Sequence, residues 1–146
     1  MEMPIPIFYR RCYYQNMVVV LFVCTGNAAR SQMAEGLLKN IKSDLVVLSA
    51  GTKPEGLSPL AVKVMQKIGI DISDQTSKHI DDISWNEADY AITLCGSANE
   101  TCVTMNWPEK CNREHWPIDD PRSEDEYINA RDEVRDRITE FVNHLI

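Results

Sequence analysis

From Val18 to Val23 the chain runs through six apolar residues without a polar break. An unbroken run of this length fits a strand buried on both faces of a parallel sheet. The period changes at Ser31. Met33, Ala34, Leu37, Leu38 and Ile41 recur at helical spacing, so a helix is expected directly after a turn. Leu45 to Leu48 reads as a second strand. Ser58 followed by Pro59 supplies an N-cap and a proline at the first helical position. Leu60, Ala61, Val64, Met65 and Ile68 line one face of that helix, and Gly69 closes it. Tyr90 to Leu94 makes a third strand ending at Cys95, and a shorter fourth is expected near Glu114 to Ile118. The last helix opens with Ser123 and Glu126 in capping-box spacing, with Tyr127, Ala130, Val134, Ile138, Phe141 and Leu145 as its apolar stripe. The order β-α-β-α-β-β-α predicts an α/β domain, a three-layer sandwich around a four-stranded parallel sheet.

Composition narrows the class. The 146 residues fit one domain with one core, and 44% hydrophobic against 25% charged residues argues against disorder. No apolar run approaches the ~18 residues of a membrane span. Residues 1–16, MEMPIPIFYRRCYYQN, lack the order of a secretory signal, in which basic residues precede a longer apolar run. They are expected to be an appendage to a single domain over 17–146, with Met17 as a candidate start, in a cytoplasmic protein. The net charge of −7 argues against a nucleic-acid partner. Charge is also uneven: residues 1–70 carry eight Lys/Arg against four Asp/Glu, and residues 71–146 seven against eighteen. A small anionic ligand therefore needs a strong local site. Five cysteines, Cys12, Cys24, Cys95, Cys102 and Cys111, cannot all pair within the chain. In a cytoplasmic setting they point to catalysis, redox chemistry or metal binding.

That local site is legible in CTGNAARS, between the first strand and the first helix, where α/β sheets bind ligands. Gly26 and Asn27 tolerate left-handed backbone angles, and Ala28 and Ala29 are small. The turn from Thr25 to Ser31 can thus aim its N–H groups inward as an anion nest. Arg30 adds a planar fork matched to a tetrahedral oxyanion. Cys24 would sit beneath the anion as nucleophile. The nest, the helix dipole and Arg30 favour thiolate there, and Ser31 is placed to hydrogen-bond the sulfur. A structural cysteine in a connecting loop is the alternative. The loop lacks the Gly-Lys-Ser/Thr ending and the G-x-G-x-x-G pattern of other phosphate loops.

VLFVCTGNAARSQMAEG resembles the opening of the thioredoxin-coupled arsenate reductases, which share the low-molecular-weight tyrosine phosphatase fold. The resemblance continues through SAGT (Ser49–Thr52), TLCGSANETC (Thr93–Cys102) and HWPIDDP (His115–Pro121), and so spans Val18 to the C-terminus. It implies Cys24 as nucleophile, the oxyanion held by Thr25, Gly26, Asn27, Ala28, Ala29, Arg30 and Ser31, and Asp120, before Pro121, as general acid. Asp119 is then a solvated neighbour. Without the family, Asp-Asp-Pro reads simply as a turn. The matching positions also imply a redox order. Cys24 forms the arsenate adduct, Cys95 resolves it, and Cys102 takes over as a Cys95–Cys102 disulfide reduced by thioredoxin. Each step is thiolate attack on an existing sulfur bond. No cofactor and no resident metal is implied.

Other readings of these cysteines are burial in the core and a zinc site built from Cys95, Cys102, Cys111 and His115, which lacks a short Cys-x2–4-Cys knuckle. Cys111 has no family counterpart, and Cys12 lies in the appendage. Two departures matter. Ala29 stands where many of these reductases have another cysteine. Asn27, Glu35 and Ser49 match potassium-binding positions of some members, but Lys78 replaces the fourth ligand, an Asp, so no potassium dependence is expected. A tyrosine phosphatase working through phosphocysteine is the second functional reading. Against it, Arg122-Ser123 follow Asp-Pro where those phosphatases place aromatic residues, and it has no need of Cys95 or Cys102. A non-catalytic anion- or redox-responsive module is the third.

Overall fold

The computed structural model describes residues 17–145; the proposed appendage and Cys12 lie outside them. Four parallel strands, β1 (Val19–Cys24), β2 (Val46–Gly51), β3 (Tyr90–Thr93) and β4 (Asn112–His115), lie in the order β2-β1-β3-β4. The helices are α1 (Arg30–Ile41), α2 (Pro59–Gln66), α3 (Gly96–Val103) and α4 (Glu124–His144). The three-layer α/β sandwich with a four-stranded parallel sheet is therefore observed.

All six residues of β1 are buried, because strands flank it on both sides and helices cover both faces. Strand parity sorts the layers. Phe22 meets Trp116 at 6.0 Å, Trp116 meets Phe141 of α4 at 5.8 Å, and Tyr90 meets Phe141 at 5.0 Å, all on one face. On that face α4 packs against both α1 and α2. Thr93, of opposite parity, hydrogen-bonds Asn99 of α3 at 3.2 Å, so α3 covers the other face. Beside α3, Trp85 and Trp107 pack edge to face at 4.9 Å.

Two expectations need correction. The segment after Cys95, left without a helix in the expected order β-α-β-α-β-β-α, forms α3. Gly, Ser, Asn and Thr give it little intrinsic helical preference. It is held by Cys95, whose sulfur accepts the Ala98 N–H at 3.4 Å as N-cap, and by the buried Ala98 and Cys102. The fourth strand is Asn112–His115, not Glu114–Ile118. Its residues are all exposed on the sheet edge, so no apolar run marks it. The apolar residues Trp116 and Ile118 follow it, still bonded to the end of β3 through Trp116 N–H to Thr93 O (2.8 Å) and to the residue after it through Ile118 N–H to Leu94 O (3.1 Å).

The sheet order fixes where chemistry belongs. From β1 the chain crosses to β2 on one side, and from β3 it crosses to β4 on the other. The topological switch point lies between the carboxyl ends of β1 and β3. Cys24 ends β1 and Cys95 follows β3, so both thiols sit at that point.

Candidate active site

Cys24 is 2% exposed at the base of the loop. Its sulfur accepts the Asn27 N–H at 3.2 Å and shares a 2.9 Å hydrogen bond with Ser31 Oγ. Asn27 takes the left-handed conformation, φ 45°, which its short amide tolerates. That fully buried amide also braces the loop. It donates to Ser31 Oγ (2.8 Å) and Ser49 Oγ (3.0 Å) and accepts the Lys78 N–H (2.8 Å).

The loop's carbonyls are taken up in succession by the segment after β2. Thr52 N–H reaches Cys24 O at 3.3 Å and Lys53 N–H reaches Thr25 O at 2.8 Å. Glu55 N–H reaches Gly26 O at 2.8 Å, and Ser58 N–H reaches Ala28 O at 2.9 Å. In a trans peptide the N–H opposes the C=O, so pinning these carbonyls on one side turns the following N–H groups to the other. Gly51 allows this docking. A Cβ there would lie 2.5 Å from Thr25 O and 2.8 Å from Asn27 N.

Arg30 opens α1, with Nη1 donating to Ile118 O at 2.9 Å and Nη2 lying 3.7 Å from Asp120 Oδ1. The guanidinium is thus oriented by the loop after β4, and the acid candidate Asp120 is brought over the same cavity. That cavity, about 330 Å³, is lined by Cys24, Thr25, Gly26, Ala28, Ala29 and Arg30 with Glu55, Asp120 and Tyr127. Larger cavities exist elsewhere, so it is the chemistry that marks this one. Glu55 and Tyr127 were not anticipated. Tyr127 belongs to the apolar stripe of α4 and reads as core, although its hydroxyl accepts from Ser58 Oγ at 3.0 Å. Glu55 sits in a loop with no motif around it.

Cys95 adjoins this site. Its sulfur lies 3.1 Å from Thr25 Oγ1 and caps α3 by accepting the Ala98 N–H. Cys102, seven residues on in α3, is 4% exposed. Burial, helped by Cys95, pushes its thiol up to about 11, while Arg113 acts in the opposite direction. Cys24, Arg30 and Asp120 therefore share one cavity, Cys95 touches its Thr25, and Cys102 stands at the far end of a helix. Among the described residues no three His, Cys, Asp or Glu side chains gather as a metal site, so the zinc arrangement is not formed.

The sequence profile of the low molecular weight phosphotyrosine protein phosphatases matches residues 19–146. The chain belongs to this family. An arsenate reductase from Bacillus subtilis (strain 168) is 46% identical over 132 residues, covering 84% of this chain and 94% of its own. A solved arsenate reductase in a phosphate-binding state superposes with a TM-score of 0.76 at 32% identity, over 89% of this chain and all of its own. A thioredoxin-dependent arsenate reductase from Corynebacterium glutamicum gives a TM-score of 0.75 at 27% identity, over 94% of this chain and 69% of its own.

The residues matching the potassium site of some family members do not fit the ion here. Ser49 Oγ donates to Glu35 Oε1 at 2.5 Å, and Asn27 Oδ1 accepts from Lys78 N–H. The Glu35 carboxylate pairs with Lys39 and lies 4.0 Å from Lys78 Nζ. Ammonium groups already supply the charge. Burial holds the Lys78 ammonium below its ordinary value, with Glu35 working against that.

Proposed function

We propose that the protein reduces arsenate to arsenite, with an oxyanion bound in the Cys24 loop and electrons drawn from its own thiols. The observation that carries this reading is the second thiol at the loop, Cys95, within 3.1 Å of Thr25 Oγ1. A hydrolase needs one sulfur here. A reductase needs two.

The Cys24 thiolate attacks arsenic, the Arg30 guanidinium and loop amides hold the oxygens, and Asp120 protonates the departing oxygen, which leaves as water. The Cys95 thiolate then attacks Cys24 Sγ. The S–As bond breaks with its electron pair moving to arsenic, arsenite leaves, and a Cys24–Cys95 disulfide remains. Cys102 attacks Cys95 Sγ next, freeing Cys24 as thiolate and forming Cys95–Cys102. This last step demands a rearrangement. Seven residues of helix separate the two by a rise of about 10 Å, beyond the ~7 Å Cα limit for a disulfide. The helix α3 must unwind, and its weak intrinsic propensity makes that inexpensive. A dithiol protein such as thioredoxin then reduces the disulfide.

The four described cysteines are free thiols, as a reducing cytoplasm would keep them. Among the described residues no helix is long and apolar enough to cross a membrane.

Arsenate-dependent NADPH oxidation, with thioredoxin and thioredoxin reductase supplied, tests the reading. Many turnovers are expected for the native chain and none beyond the first for Cys102→Ser. Absence of arsenate turnover, beside brisk aryl phosphate hydrolysis indifferent to that substitution, would make the protein a phosphatase. Tyr127 at the cavity favours a minor activity of that kind, since an aromatic side chain there can receive an aryl ester.

A further inference from the structure

A second cavity, about 490 Å³, opens at the β4 edge of the sheet and is lined by two thiols, Cys102 and Cys111, with Arg113 and His115. Strand parity puts Cys111 on the face of Arg113 and His115. That face belongs to α3, because His115 Nδ1 meets Thr93 Oγ1 at 2.8 Å and the same hydroxyl bonds Asn99. The segment joining the two cysteines folds back on itself. Trp107 Nε1 donates to Cys102 O at 2.7 Å, and Cys111 N–H donates to Pro108 O at 3.0 Å. Burial raises both thiols, and the Arg113 guanidinium opposes that at both. The two differ in access: Cys102 is buried, whereas Cys111 is part-exposed beside the wholly exposed strand Asn112–His115.

We propose that Cys111 is a fourth redox thiol, which takes the disulfide from Cys95–Cys102 and presents it at the β4 edge to the dithiol reductant. The inference rests on the reductase reading above. The Cys111 thiolate attacks Cys102 Sγ, the Cys95–Cys102 bond breaks, and Cys95 leaves as thiolate and takes up a proton. One disulfide replaces another, so no outside oxidant is needed. The exchange also removes the cross-link along α3. With Cys102 bonded to Cys111, the helix can reform and return Cys95 to its place beside Thr25 while the oxidised pair waits at the surface.

The test is disulfide mapping after one equivalent of arsenate without thioredoxin, with acid quench, alkylation and trypsin. Cleavage after Lys110 separates the possibilities. A Cys95–Cys102 bond is internal to peptide 79–110, whereas Cys102–Cys111 joins that peptide to 111–113. Expected are a main Cys102–Cys111 cross-link with Cys95 alkylated, and several-fold slower thioredoxin-driven turnover in both Cys111→Ser and Cys111→Ala. A main Cys95–Cys102 bond with Cys111 alkylated, and unchanged turnover in both variants, overturns the inference and leaves the reductase reading standing. Absence of any arsenate-induced disulfide overturns both.

Discussion

Thr25 Oγ1 lies 3.1 Å from Cys95 Sγ, so the residue after the nucleophile touches the thiol at the head of α3. One hydroxyl joins the oxyanion loop to the second sulfur. Thr25→Val keeps the shape and removes the bond, which is worth about 1 kcal/mol or roughly fivefold in rate. Arsenate turnover is expected to fall by about that factor, with aryl phosphate hydrolysis unchanged, since hydrolysis bypasses Cys95. Equal losses in both assays would assign the hydroxyl to oxyanion binding instead.

Gly51 ends β2 directly against the loop, and the atoms a side chain would strike, Thr25 O and Asn27 N, are backbone. Neither can swing aside as a side chain would. Gly51→Ala is expected to retain the far-ultraviolet circular dichroism of the native fold while displacing the loop. The cost to stability is about 1–3 kcal/mol, as for other overpacking changes, read as a lower urea midpoint. Phosphate binding should weaken and activity should collapse. Native activity in this variant would mean that the loop tolerates displacement, against the four carbonyl pins.

The parts of this architecture that could be read from the chain are those whose cause is local. Six consecutive apolar residues announce β1 because that strand is buried on both faces. The loop after it declares itself through Gly26, Asn27, Ala28 and Ala29, whose backbone freedom and small size are the requirement itself. Ser123 does cap α4, accepting the Glu126 N–H at 3.2 Å; Glu126 reaches back to Arg122 N–H at 3.0 Å, one residue before the cap. The features that escaped have non-local causes. The helix α3 is held by a cysteine cap and by packing, and β4 has no buried residue to set a period. Glu55 reaches the cavity only because its N–H pins Gly26 O. Lys39 meets Glu35 by i,i+4 helical spacing, a relation with a local cause, whereas Lys78 reaches the same carboxylate only through the fold.

The Glu35 cluster makes a prediction about ions. With Lys39 and Lys78 beside the buried carboxylate, exchanging sodium for potassium at constant ionic strength should leave turnover and melting temperature unchanged. Lys78→Asp would add a carboxylate in place of an ammonium near Glu35. That variant is expected to melt lower in sodium and to recover in potassium. A potassium effect on the native chain, in rate or in melting temperature, would show that the ammonium groups do not complete the site.

Cys102 carries the clearest pH signature, because burial pushes its thiol from an ordinary 9.0 up to about 11. Only thiolate attacks a disulfide, so its reactive fraction grows about tenfold per pH unit through the range near 7 to 9. Iodoacetamide labelling of Cys102 in the folded protein should climb with that slope. The sign for stability is opposite. The folded state keeps the Cys102 proton at pH values where the unfolded chain has lost it, so stability from this group is complete below about 9 and is lost as pH rises toward about 11. Urea midpoints measured across that window should fall more steeply in the native chain than in Cys102→Ala. A labelling rate that is level between about pH 7 and 9 would mean the thiol is already ionised there. Arg113 would then outweigh burial, and the exchange at Cys95 would proceed at neutral pH without the slow step that burial imposes.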